Sequence, residues 1–211
     1  MADYTFKLEN EEYVFYGDGE VLKTPHDAVI KTTNERLADL LLTNLEHFAD
    51  YSSPTSILTY HYTFCNLNAE ATEEIIANDF SNCVSYESLM NDNYMMFRQS
   101  SPVKQAIAVY YEKNMPKYFH SYNMYQLSAV LVIQTAFHSW MLSHYIISDL
   151  LEPLYDGKDI DFQAKKEEFL DDLEEYECEE FECDPEDEVY IRHRQLMSDS
   201  IDTFALYFIF Q

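Results

Sequence analysis

From Leu127 to Ile147 the chain runs twenty-one residues without an Asp, Glu, Lys or Arg. So long an uncharged stretch has few places to go. One is a bilayer, whose core takes about 20 apolar residues as a helix; the other is the interior of a helical protein. Gln134, His138, Ser139, Ser143 and His144 interrupt the run, and no basic flank sets an orientation across a membrane. The pattern therefore predicts a buried core helix over 127–151, around which the rest of the chain must assemble. A partner for it lies further on, where Met197, Ile201, Phe204 and Phe208 recur at spacings of 4, 3 and 4, the stripe of an amphipathic helix packed on a core.

Charge is distributed just as unevenly. Thirteen basic against 39 acidic residues give a formal charge of −26, and fourteen of the acids, with no base among them, lie between Glu167 and Glu188. A chain this acidic is repelled by phosphate backbones and by anionic lipid, so nucleic acid and anionic membrane surfaces are poor partners. With 47% apolar and 16% aromatic residues it is not a disordered acidic tail. Phe169, Leu173, Tyr176 and Phe181 thread the acidic window at spacings of 4, 3 and 5. Two readings stay open: an amphipathic helix whose solvated face is acidic, or a surface that docks a basic protein face with aromatic anchors.

Towards the N-terminus the period changes. Tyr4, Phe6 and Leu8 alternate with Thr5 and Lys7, and Tyr13–Tyr16 is a run of β-formers. Gly17-Asp18-Gly19 signals a hairpin turn with Val21–Lys23 as the return strand, and Val29–Lys31 adds a third. From Thr32 the pattern is helical: Thr32 and Glu35 fit a capping box ahead of Leu37, Leu40, Leu41, Leu45 and Phe48. Further helices are expected at 68–79 and, broken at Ser101-Pro102, at 95–113, with a short strand at 82–86. The fold class is thus α+β: residues 1–33 form an antiparallel β region and residues 34–211 a mainly helical domain that includes the acidic segment 167–188.

Little of this sequence points to chemistry. Three glycines in 211 residues leave no phosphate-cradling loop, and no Gly-x-Ser-x-Gly elbow occurs. His138 and His144 are six apart, off one helical face, and His26, His47, His61, His120 and His193 are read as having no local carboxylate or cysteine at ligand spacing, so no metal is expected. Asp156–Asp161 imitates a calcium loop but carries its glycine second and a lysine in a ligand slot. Cys65, Cys83, Cys178 and Cys183 form no Cys-x-x-Cys pair, and no secretory signal is evident, which suggests reduced thiols in a cytosol-like compartment. No cofactor is expected. A hydrolase-like enzyme using scattered carboxylates and histidines, or an acidic decoy imitating nucleic acid, remains as an alternative without a motif of its own.

Several stretches, taken in order, resemble the ATP synthase assembly chaperones that hold the α subunit of the F(1) head. Asp18–Pro25, ending Lys-Thr-Pro, is similar to the family's strand-turn motif, Leu37-Ala38-Asp39 to a helix start, and Arg98-Gln99 to a pair in the middle helix. Pro54–Asn66 occupies the place of a segment that begins Pro-Met-Thr. Leu127–Val132 resembles the start of the family's buried helix. Tyr176, Glu179, Phe181, Asp184, Glu186 and Glu188, followed by Arg192, look like its C-terminal signature. Leu45, Tyr176 and Phe181 stand where the family has tryptophan, Glu182 stands where it has glycine, and the stretch around 114–118 is shorter. The resemblance implies an α+β chaperone without catalysis that shields a free F(1) α subunit until β arrives. Its expected contacts are Tyr176, Glu179, Phe181, Asp184, Glu186 and Glu188, with Arg98 and Arg192 ordering the region. Charge argues against a nucleic-acid partner, no membrane insertion is expected, and the expected state is a monomer, cytoplasmic in a bacterium or in the mitochondrial matrix if processed.

Overall fold

A computed structural model describes residues 2–48, 51, 53, 56–70, 109, 123–137, 139–181 and 184–209. The expectations over 71–79, 82–86 and most of 95–113 lie outside these residues.

The chain is α+β, a small antiparallel sheet followed by helices. Strand β1 (Tyr4–Glu9) pairs along its whole length with β2 (Glu12–Gly17), from Tyr4 opposite Gly17 to Glu9 opposite Glu12. The two residues between them, Asn10 and Glu11, have φ of 50° and 70°, the geometry of a type I′ hairpin turn. The expected second hairpin is present: Asp18 and Gly19 turn the chain with φ of 52° and 85°, into β3 (Glu20–Val21). Beyond Val21, the Leu22 N–H still donates to the Phe15 carbonyl at 2.8 Å. Strand β4 (Lys31–Thr32) then pairs with the first half of β2.

Strand β4 is an edge, and an edge leaves backbone groups unpaired. Helix α2 (Ile57–Glu70) closes it. His61 Nε2 lies 2.7 Å from the Lys31 carbonyl, so that nitrogen carries the proton and donates. His61 and Cys65, one turn on, are four apart on one helical face; His61 caps the strand and Cys65 is buried in the core. The other ring nitrogen of His61, Nδ1, accepts from the Tyr207 hydroxyl at 2.5 Å. Burial holds the imidazole neutral, its pKa lowered to about 4.

Helix α1 (Glu35–Phe48) buries Leu37, Ala38, Leu41 and Leu45. Its cap is two residues later than the capping box expected at Thr32. Asn34 Oδ1 accepts from the Leu37 N–H at 3.1 Å, and Thr32 Oγ1 accepts from the Asn34 N–H at 3.2 Å. Helix α2 begins at Ile57, eleven residues before the helix expected at 68.

The uncharged run is two helices rather than one. Helix α3 (Met124–Phe137) opens with a reciprocal cap: Asn123 Oδ1 accepts from the Gln126 N–H and Gln126 Oε1 accepts from the Asn123 N–H, both at 3.0 Å. Ser139 then stands in extended backbone (φ −142°, ψ 124°) and its hydroxyl accepts from the Leu142 N–H, starting α4 (Trp140–Tyr145). The chain continues through one π-helical stretch, Ile146–Leu151, into the short α5 (Glu152–Tyr155). Pro153 gives the reason: it has no N–H, and its ring would collide with the carbonyl four residues back in a regular α-helix. Gly157, with φ of 67°, ends α5, so the imitation calcium loop is a helix C-cap. Among the described residues, no helix is long and apolar enough to cross a membrane.

The core forms where α2, α3 and the last helix, α7 (Glu188–Ile209), converge. Tyr60 and Tyr207 pack with ring centroids 3.5 Å apart, and Phe204 meets Tyr60 edge-on. Ile201, Phe204 and Phe208 are buried as the 3–4 spacing predicts, with Met197 packed partly against them.

Candidate partner-binding surface

The acidic window forms most of α6 (Phe162–Phe181) and the turn into α7. Asp161 caps α6, its Oδ1 accepting from the Ala164 N–H at 3.0 Å. Phe169, Leu170, Leu173 and Tyr176 are buried along one side. Phe169 stacks on Tyr145 at 5.3 Å and meets Phe137 edge-on, which fixes the helix against the rest of the core. Lys166, also buried, donates to both carboxylate oxygens of Asp202 on α7, at 2.7 and 2.8 Å.

Helices α6 and α7 are tied along a second seam by charge. Arg194 on α7 reaches Glu167 (3.1 Å), Asp171 (2.7 Å) and Glu174 (3.0 Å), three acids at i, i+4 and i+7 on one side of α6. A turn further, Glu177 accepts from the Tyr190 hydroxyl at 3.0 Å and faces His193 Nε2 at 3.4 Å. Burial, and then the Glu177 charge, push the Tyr190 phenol above its ordinary pKa. Among the described residues, Glu167, Asp171, Glu174 and Glu177 thus hold the hairpin together.

The expected contact residues fall into distinct roles. Tyr176 is buried in the core, so its ring is no surface anchor. Glu179, Glu186 and Glu188 are exposed. Asp184 and Asp187 shape the turn: the Glu186 N–H donates to Asp184 Oδ1 at 2.9 Å, and the Val189 N–H to Asp187 Oδ1 at 2.7 Å, capping α7. The Phe181 side chain and all of Arg98 lie outside the described residues. Arg192 is exposed and makes no ion pair among the described residues; the ordering role expected of it belongs to Arg194. That arginine was findable, because it lies three residues before Met197 on the packed side of α7.

What remains outward is an acidic face with Glu168, Asp172, Glu175 and Glu179 at spacings of 4, 3 and 4. On α7, Val189, Ile191 and Leu196 are 78%, 55% and 50% exposed. No family model, curated protein or solved structure matches this chain. Its surface chemistry therefore carries the functional reading. No cluster of three or more His, Cys, Asp or Glu side chains able to hold a metal occurs among the described residues. Outward carboxylates on one helix and solvent-exposed aliphatic side chains on the next can attract a basic surface and offer it apolar contact.

Proposed function

We propose that this chain is an assembly chaperone that binds a free F(1) ATP synthase α subunit and shields it until the β subunit arrives. An unassembled subunit exposes an interface of core-like composition, which aggregates unless covered. The observation that carries the reading is the α6–α7 hairpin, which presents an outward row of carboxylates on α6 and exposed Val189, Ile191 and Leu196 on α7. Supporting it, the stretches that resemble the chaperone family fall in order along the described elements: the Lys-Thr-Pro segment after β3, the start of α1, the first half of α3 and the acidic hairpin. Glu179, Glu186 and Glu188 are the contacts, and long-range attraction to a basic face sets the encounter rate.

Capture of the α subunit from the source organism tests this. Binding at low ionic strength, weakening as salt is raised, is expected. Glu179→Lys should weaken capture about tenfold, and Asp3→Lys, on an exposed N-terminal residue, should leave it nearly unchanged. Absence of capture at low salt, or equal effects of the two reversals, rejects the reading.

A further inference from the structure

Helix α7 buries one side, through Ile201, Phe204 and Phe208. Away from it, Val189, Arg192, Leu196, Asp199 and Thr203 recur at spacings of 3, 4, 3 and 4, the seam along which two helices pack side by side. At 3.6 residues per turn these five fall within an arc of about 80°. The first four are exposed and Thr203 is half-buried.

The charges on this stripe form a pattern of their own. Arg192 makes no ion pair among the described residues. The Asp199 carboxylate accepts from Gln195 Nε2 at 2.8 Å, a neutral donor that leaves its charge unbalanced. The cation lies four residues before Leu196 and the anion three after it, while Val189 and Thr203 lie seven before and seven after. Turned end to end, the stripe is therefore its own complement. An antiparallel second copy sets Arg192 of each chain against Asp199 of the other, Leu196 against Leu196, and Val189 against Thr203. A parallel copy would set like charges against each other, which costs affinity. The antiparallel arrangement has a two-fold axis beside Leu196, the symmetry of an isologous dimer.

We propose that a second copy of this chain docks on this stripe, α7 against α7, antiparallel about Leu196. The monomer expected from the sequence is then the dissociated form. One helical seam is a small contact, so the dimer is weak and reversible. It covers Val189 and Leu196, the side chains that the assembly reading offers to the α subunit, so client and second copy compete for one face. The dimer goes beyond that reading and does not depend on it. The −26 on each copy opposes association. At about 0.15 M salt that repulsion is screened beyond about 8 Å, whereas contacts at the axis are closer than this.

Sedimentation equilibrium of the full chain tests the proposal. A concentration-dependent monomer–dimer equilibrium is expected at about 0.15 M sodium chloride, and it tightens with further salt, the opposite trend to α-subunit capture. Arg192→Asp and Asp199→Arg, both on exposed residues, should each weaken self-association about tenfold with Tm nearly unchanged. The double variant should recover it. An equimolar mixture of the two single variants should also dimerise, because each then supplies the charge that the other lacks. A chain that stays monomeric at every concentration overturns the proposal, as do single variants that associate like the parent. So does a loss that neither the double variant nor the mixture restores. None of these readouts contains the α subunit, so they stand apart from the assembly reading. Capture of the α subunit by a chain that never dimerises, weakened by Leu196→Ser, assigns the stripe to the client and overturns the dimer alone.

Discussion

His61 ties three distant parts of the chain together, and its protonation state is therefore a stability switch. Its folded pKa of about 4 lies below the ordinary 6.5, so the unfolded chain takes up a proton first as pH falls. The contribution is fully present above pH 6.5 and is lost progressively towards pH 4. The gap corresponds to about 3 kcal/mol. Urea unfolding of the parent chain and His61→Gln across that window should show the difference between them shrinking as pH drops. A constant difference would place the imidazole's charge change outside this range. Lys166 poses a different case, because it is buried while Asp202, its partner, is 43% exposed on the side chain. Asp202→Asn leaves the ammonium buried without a counter-charge and should cost about 2–3 kcal/mol. Lys166→Met, which removes the buried charge itself, should cost less. Chemical denaturation of both variants decides the ranking.

Arg194 shows how one side chain organises a pair of helices. It is mostly buried, whereas its three acidic partners range from one-third to nearly three-quarters exposed. Solvent screening limits the set to about 1–2 kcal/mol. Arg194→Gln should lower stability by that amount at low salt and by less at high salt, readable as the gap between two Tm-versus-salt curves. Arg192, two residues earlier, is rotated about 200° around the helix and faces solvent. Helix α1 illustrates a similar ambiguity: Thr32 and Asn34 are both good caps, and Asn34 wins because Thr32 is still pairing with β2. Helix α2 was the least readable element. Its sequence, ILTYHYTFCNLNAE, sets polar Thr59, Thr63, Asn66 and Glu70 at spacings of 4, 3 and 4, but the buried side mixes His61 with Leu58, Tyr60 and Cys65. A stripe of small, weakly polar side chains opposite a face that itself contains histidine gives only a faint helical period. Helix α6 was readable for the opposite reason: Phe169, Leu173 and Tyr176 stand out at spacings of 4 and 3 against carboxylates.

Across the molecule, the −26 charge acts in two ways. Part is neutralised locally: among the described contacts, Arg194, Lys166, Lys31 and Lys23 each hold acids. The remainder repels itself, a cost that grows as ionic strength falls. Added sodium chloride should therefore raise Tm, even though it weakens the Arg194 contacts; a Tm that falls with salt would mean that the ion pairs outweigh the repulsion. The sheet-then-helices order and the packed C-terminal helix followed from periodicity alone. The break at Ser139 did not, because a serine inside an apolar run is equally compatible with a helix interior and with a cap.

The hydrogen bonds at His61 also impose an order on how the chain is made. The bond to Lys31 spans 30 residues, but the one that orients the ring, from Tyr207, spans 146. While the nascent chain is still emerging from the ribosome, the sheet and α2 can meet, but the ring that clasps them lacks its second partner. The sheet and α2 must wait, their apolar faces without α7, until synthesis has passed Tyr207. A protein proposed to protect an unfinished subunit thus passes through an unfinished stage of its own.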